Sequence, residues 1–331
     1  KFYLSTDDFV QDFPLSEFRD ETILLKGARI FKFEEIGKIL QQKAHETVFE
    51  INLNSLIHNL NYYRSLIKPQ TKLMAMVKAF SYGSGSFEIS NILQFHQVDY
   101  LSVAYADEGI ELRKNGITLP IMVMNPEEQS FDAMLKYNLE PEIYSFRILN
   151  LFEEAIKRNY KDSNKKGYVH LKLDTGMDRL GFEKSEIPEL IERLKNNTQI
   201  EIKSVFSHLA ASEDKEQDAF TQNQIFSFTE MSNLIQTEFS YSILRHILNS
   251  AGISRFRDAQ FEMVRLGIGL YGVASNEQEQ SFLKNVSTLK TIISQIKKIP
   301  KGDSIGYGHK WIAPTDMISG TIPIGYADGL N

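Results

Sequence analysis

Short apolar runs alternate with polar segments of helical periodicity along most of the chain, at spacings of roughly 20 to 35 residues, the linear signature of repeated βα units. Eight such runs stand out: Leu73–Ala79, Tyr100–Ala106, Pro120–Asn125, Glu140–Ser145, Tyr168–Asp174, Ile202–His208, Ile243–Ser250 and Met263–Tyr271. Several are apolar at consecutive positions, as in Leu73-Met74-Ala75-Met76-Val77, so both strand faces are covered, as in a parallel sheet flanked by helices. An open doubly wound sheet has a similar linear pattern. Eight units closing on themselves make a TIM-type (β/α)8 barrel, and the count favours that closure.

After Ser275 the texture changes. Leu289–Ile299, Asp303–Tyr307 and Met317–Pro323 alternate in the manner of antiparallel strands, with a tight turn at Pro300-Lys301-Gly302-Asp303. The expected layout is an α/β barrel over residues 46–278 followed by a β-rich domain over 279–331. Residues 1–45 hold a strand-like Thr22–Lys26, a turn at Gly27 and an amphipathic helix Phe33–Gln42, and read as the tail of something upstream. The chain starts at Lys1 without a Met and stops after Gly329-Leu330-Asn331, an ending that reads as a cut inside the β domain.

With 331 residues, 42% of them apolar, the chain can bury a large core. The formal net charge of −6 argues against a polyanion-binding face, so nucleic acid is an unfavoured partner. No cysteine is present, which removes disulfides, thiolate chemistry and cysteine metal sites, and fits a cytoplasmic enzyme. The longest apolar stretch, Leu266–Ala274, is about half the ~20 residues a bilayer span needs.

Candidate chemistry gathers at strand ends. Lys78 follows a buried strand and precedes a glycine-rich turn through Tyr82, Gly83 and Gly85. At the carboxyl end of a barrel strand a partly desolvated lysine can attack an aldehyde, while turn N–H groups and a helix start suit an anion. The run His170-Leu171-Lys172-Leu173-Asp174-Thr175-Gly176-Met177-Asp178-Arg179-Leu180-Gly181 crowds charge at another strand end, with Lys172 and Asp174 on one side. A charged solvent-facing loop is the plainer reading of that run taken alone. His208 ends the sixth strand, Asn249-Ser250 the seventh, and Arg265 with Gly267 and Ile268 the eighth. Loops after strands seven and eight commonly hold phosphate in such barrels. Ile305-Gly306-Tyr307-Gly308 and Ile324-Gly325-Tyr326-Ala327-Asp328-Gly329 are aromatic-glycine turns in the β-rich part.

Together these segments resemble the alanine racemase family over residues 47–331. The resemblance rests on Val77-Lys78-Ala79 with Tyr82-Gly83, the run Leu171 through Gly181, Met263-Val264-Arg265 with Gly267 and Tyr271-Gly272, and Gly320 through Gly329. It implies a pyridoxal phosphate enzyme interconverting L- and D-alanine for peptidoglycan, acting as a homodimer with shared active sites. Lys78 would hold the cofactor and serve one face of the substrate, and Tyr307 from the partner chain the other. Arg265 would meet the pyridine nitrogen, keeping it unprotonated. Tyr82, Asn249, Ser250, Gly267, Ile268 and Tyr326 would hold the cofactor and its phosphate. His208 would link Tyr307 to Arg265, and Arg179 would touch the cofactor's phenolic oxygen and the substrate carboxylate. Lys172 matches a position that family members often carry as a carbamate. No metal is expected.

Phe80, Ser81 and Ser84 depart from the family's usual residues beside the lysine, and a family Met-Asp pair that narrows the substrate pocket falls beyond the chain. Residues 1–45 resemble the carboxyl end of Mur ligases, chiefly Thr22 to Arg29 and the helix after it, which implies a ligase–racemase fusion. A serine or broad-specificity racemase, a decarboxylase of the same barrel class, and a non-catalytic pyridoxal phosphate or scaffold domain are the alternatives. Tyr307 weighs against the decarboxylase and residues 283–331 against a non-catalytic pyridoxal phosphate-binding protein, while the scaffold reading stays open.

Overall fold

The computed structural model describes residues 2–13, 23–28, 31, 33–40, 47–161 and 164–330. All eight expected strands form, as Lys72–Met76, Tyr100–Val103, Ile121–Val123, Glu140–Ile143, Gly167–Lys172, Ile200–Phe206, Leu244–His246 and Met263–Leu266. They are numbered first to eighth below. All pair in parallel, and the eighth pairs with the first through Lys72↔Met263 to Ala75↔Leu266. The ring therefore runs from the eighth through the first to the seventh. The remaining seam carries a backbone bond of 3.0 Å from Arg265 N to Leu248 O. The result is a nearly closed (β/α)8 barrel, which settles the choice against an open sheet.

Side chains at every second position separate two environments. Leu73, Ala75, Val77, Leu101, Val103, Ile121 and Val123 face outward into one large core shared with the helices. Met74, Tyr100, Met122, Phe206 and Met263 form a smaller apolar cluster of their own. The helix Phe146–Asn159 shows how the outer layer forms. Ser145 Oγ caps its first turn by accepting from Ile148 N, and Ile148, Leu149, Phe152, Ala155 and Ile156 make one buried stripe at helical spacing.

At their carboxyl ends the strands are shorter than the apolar runs suggest. Lys78, Asp174, His208, Ser250 and Gly267 lie beyond the ladders. Their backbone groups bond into loops instead, as when Gly267 N donates to Ser250 Oγ at 2.9 Å.

The chain divides into two compact units, residues 51–288 and residues 1–50 with 289–331. In the second unit Gln295–Ile299 pairs antiparallel with Met317–Thr321, and Ser304–Ile305 with Trp311–Ile312. The expected run Leu289–Ile299 splits into Ser287–Lys290 and Gln295–Ile299. Gly302, at a φ of +91°, makes the turn into the inner hairpin, where Asp303 N donates to Pro300 O. Helices cover Thr6–Asp12 and Phe33–Leu40. The second matches the expected Phe33–Gln42, whose residues 41 and 42 lie outside the described residues. The expected strand Thr22–Lys26 does not form: residues 23–28 carry no regular element and have no ladder partner among the described residues, and Thr22 lies outside them. No described helix is long and apolar enough to cross a membrane.

Candidate active site

A cavity of about 540 Å³ opens at the carboxyl ends of the barrel strands. Lys78, Tyr82, Lys172, Arg179, His208, Asn249, Ser250, Arg265, Gly267 and Ile268, all singled out from sequence, line it. Tyr307 and Tyr326 do not line it. Both belong to the other unit, 95% and 86% exposed.

Lys78 stands at the start of an unusual turn. Ala79, Phe80, Ser81 and Tyr82 have φ between +51° and +55°, one left-handed turn built from four non-glycine residues. Each costs about 1–2 kcal/mol relative to right-handed backbone, and such strain collects where a side chain must be aimed. The turn is held by bonds from Ser81 N to Val77 O and Gly85 N to Phe80 O, both 3.0 Å. Tyr82 packs its ring 4.8 Å from that of Tyr271, whose hydroxyl donates to Met76 O at 3.0 Å. Burial, then the charges of Arg179 and Arg265, lower the pKa of Lys78 and favour a free amine.

The same cavity holds an oxyanion cradle. Asn249 Oδ1 caps the helix Ser250–Arg255 by accepting from Gly252 N at 2.9 Å, and it also accepts from Ser212 Oγ at 2.8 Å. Ser250 Oγ accepts from Gly267 N at 2.9 Å and Gly269 N at 3.2 Å, which leaves its own proton for an acceptor in the cavity. A Cβ on Gly267 would lie 3.2 Å from Tyr82 Oη and 3.7 Å from Ser250 Oγ. Glycine is therefore what keeps the space between these hydroxyls open.

Arg265 is 3% exposed and uses both terminal nitrogens in full. Nη1 donates to His246 Nδ1 at 2.6 Å and His246 O at 3.2 Å; Nη2 donates to Ser207 O at 2.6 Å, Ile247 O at 3.1 Å and His208 Nδ1 at 3.3 Å. Only Nε is left to meet a ligand. Burial pulls the guanidinium down to about 10, still cationic at neutral pH. Since Arg265 can only donate, His208 Nδ1 accepts and its proton sits on Nε2. Burial, then Arg265, hold His208 neutral, with its pKa pushed down to about 3.

Lys172 Nζ donates to Glu142 Oε1 at 2.9 Å, with Lys172 5% and Glu142 0% exposed. Burial pushes the Glu142 carboxyl up, and the charges of Lys172, Arg265 and Arg179 oppose it. Lys172 and Arg265 both lie over the Phe206 ring, 5.7 Å and 5.2 Å from its centroid. Asp174, expected beside Lys172, instead organises the loop that carries Arg179: its Oδ1 accepts from the N–H groups of Gly176, Met177 and Asp178. Glu140, Glu142, Ser204 and His246 are the polar interior residues the sequence reading missed. Their signal is spacing two within a strand, as in Glu140-Pro141-Glu142 beside His170-Leu171-Lys172.

The donor set suits one flat ligand bearing a carbonyl and a phosphate. It offers an amine of lowered pKa, a hydroxyl cradle that a single Cβ would fill, and one guanidinium N–H for an aromatic ring nitrogen. Pyridoxal phosphate fits that description. Among the described residues no group of three or more His, Asp or Glu could hold a metal ion.

Residues 51–275 match the family model "Alanine racemase, N-terminal domain" and residues 286–331 "Alanine racemase, C-terminal domain". The chain is 34% identical over 290 residues to alanine racemase 2 of Caldanaerobacter subterraneus subsp. tengcongensis, covering 86% of this chain and 73% of that one. It is 37% identical over 287 residues to the alanine racemase of Clostridium tetani, covering 85% and 72%. The solved alanine racemase of Clostridium difficile 630 superposes with a TM-score of 0.78 at 33% identity, over 86% of this chain and 75% of that one. Its complex with cycloserine gives 0.75 at 32%, over 86% and 74%. Residues 1–45 fall outside both family matches.

Proposed function

We propose, from the premise that this chain belongs to the alanine racemase family, that it interconverts L- and D-alanine with pyridoxal phosphate held on Lys78. The observation that carries the proposal is a half-buried amine of lowered pKa in one cavity with the Ser250–Gly267 cradle and Arg265.

When bound, pyridoxal phosphate supplies the electron sink that makes the Cα proton of alanine removable. The chain's residues do the rest. Ser250 Oγ, Tyr82 Oη and the Ile268 amide would bind the phosphate, with Ser250 Oγ aimed by the Gly267 and Gly269 amides and Asn249 capping its helix. Arg265 would offer Nε–H to the ring nitrogen and, never giving up its own proton, would leave that nitrogen unprotonated. Arg179 places the substrate carboxylate by charge. Lys78 Nζ takes or returns a proton on one face of Cα. Inversion requires a second acid–base group on the opposite face. Tyr307, almost fully exposed, is our candidate, contributed by a second copy of the chain in a homodimer. His208 Nε2–H is the donor left to meet its hydroxyl.

Lys172 is read as unmodified, not as a carbamate: its Nζ is engaged by Glu142 Oε1 at 2.9 Å, a bond that a carbamate on that nitrogen would displace in a buried site. Supply of D-alanine for peptidoglycan in the cytoplasm and an upstream Mur ligase domain also belong to this proposal. A P-loop ATPase domain in the reading frame before Lys1 tests the latter. Activity is tested by incubating the protein and cofactor with L-alanine and, separately, L-serine. D-alanine forming faster than D-serine supports the reading, and cofactor binding without D-alanine would reject it.

A further inference from the structure

Four interior side chains that no step above uses connect Arg265 to the far side of the barrel. Arg265 Nη1 lies 2.6 Å from His246 Nδ1, His246 Nε2 2.8 Å from Ser204 Oγ, Ser204 Oγ 2.6 Å from His170 Nδ1, and His170 Nε2 2.8 Å from Glu140 Oε2. With Arg265 on the eighth strand, His246, Ser204, His170 and Glu140 come from the seventh, sixth, fifth and fourth, one from each. His246, Ser204 and His170 are each 0% exposed and Glu140 is 7%.

The proton positions follow from the ends inward. A guanidinium only donates, so His246 Nδ1 accepts. Burial, then Arg265 and His170, keep His246 neutral, so its proton is on Nε2 and is donated to Ser204 Oγ. The serine hydroxyl has one proton, and His170 Nδ1 is the acceptor left for it. His170 then carries its proton on Nε2 and donates to Glu140. An imidazolium at His170 would donate from both nitrogens and strand the serine proton in a dry interior. Every bond therefore points from Arg265 towards Glu140.

We propose that Glu140 is a positioning residue for Arg265: the guanidinium imposes the direction of the chain from one end, and the buried Glu140 carboxylate answers the His170 N–H which that direction leaves at the other. Without that acceptor the His170 N–H is unanswered in a dry interior, a cost the reversed chain removes. His170 then holds its proton on Nδ1, Ser204 donates to His246 Nε2, and His246 Nδ1–H faces a guanidinium N–H across the same 2.6 Å. Two donors repel at that distance, Arg265 turns, and its single free Nε–H moves with it. The catalytic arm of this inference rests on the reading of Arg265 as the partner of the cofactor ring; the proton positions do not.

The test is nitrogen-15 NMR of labelled histidine in the full chain loaded with pyridoxal phosphate, together with racemisation kinetics. In the wild type, His246 and His170 are expected neutral with the proton on Nε2, and Glu140→Gln keeps both because its amide oxygen can still accept. Glu140→Leu is expected to change the protonated nitrogen of at least one of them. It should also lower kcat about tenfold or more while the KM for alanine stays within about threefold, with Glu140→Gln within about threefold of wild type in kcat. A doubly protonated or Nδ1-protonated His170 in the wild type overturns the proposal, as does a Glu140→Leu protein unchanged in both readouts. Should Glu140→Leu not fold, the wild type and Glu140→Gln decide. A wild type with these proton positions but no racemisation would reject the proposed function and leave the chain of bonds standing.

Discussion

Gly267→Ala probes the oxyanion cradle directly. The added Cβ would lie 3.2 Å from Tyr82 Oη, so the hydroxyl must retreat by a few tenths of an ångström, and 3.7 Å from Ser250 Oγ. The methyl then occupies the gap from which both hydroxyls reach a phosphate. Loss of one hydrogen bond to a charged group costs about 1.5–3 kcal/mol, which is roughly 10- to 150-fold in dissociation constant. The assay is a titration of the cofactor-free protein with pyridoxal phosphate and, in parallel, with pyridoxal, which lacks the phosphate. The variant should bind pyridoxal phosphate in that weaker range and pyridoxal as the wild type does. Equal weakening of both would mean a general disturbance of the pocket, and unchanged binding of pyridoxal phosphate would refute the cradle.

The remaining predictions concern single groups. The His208 pKa is depressed to about 3, so below about pH 6.5 the unfolded chain binds a proton that the folded chain does not, and stability falls with pH from there towards 3. Between about pH 7.5 and about pH 5 this group should remove about 2 kcal/mol of stability from the cofactor-free protein; urea unfolding of His208→Gln should lack that loss, and an identical pH dependence would contradict the burial argument. Tyr307→Phe should slow racemisation by about 10²–10⁴ while one enantiomer of alanine still exchanges its Cα hydrogen with deuterium oxide. Exchange lost equally from both enantiomers would contradict two opposed acid–base groups. Carbon-13 NMR in labelled bicarbonate should show no carbamate, whereas a signal that Lys172→Ala abolishes would overturn the reading of the Glu142–Lys172 pair.

The barrel was legible because parallel strands are covered on both faces, which leaves runs such as Leu73-Met74-Ala75-Met76-Val77 uninterrupted. Strand ends were less so. Lys78, His208 and Gly267 continue apolar runs in sequence, yet their backbones leave the ladder to serve the cavity. Nothing in Ala79-Phe80-Ser81-Tyr82 signals a left-handed turn, since none of the four is glycine or asparagine. The polar interior was hidden for another reason. Glu140, His170, Ser204 and His246 are about 30 to 40 residues apart along the chain, and only closure of the ring makes them neighbours. Tyr307 could be singled out as a residue but not placed in the barrel cavity, because its turn is nearly all exposed on the other unit.

Borohydride reduction of the protein equilibrated with pyridoxal phosphate, followed by peptide mass mapping, goes straight to the central assignment. The account predicts one reduced cofactor adduct, on Lys78, with the visible absorption of the bound cofactor lost in Lys78→Ala. An adduct on another lysine, or an undiminished visible band in Lys78→Ala, would contradict it.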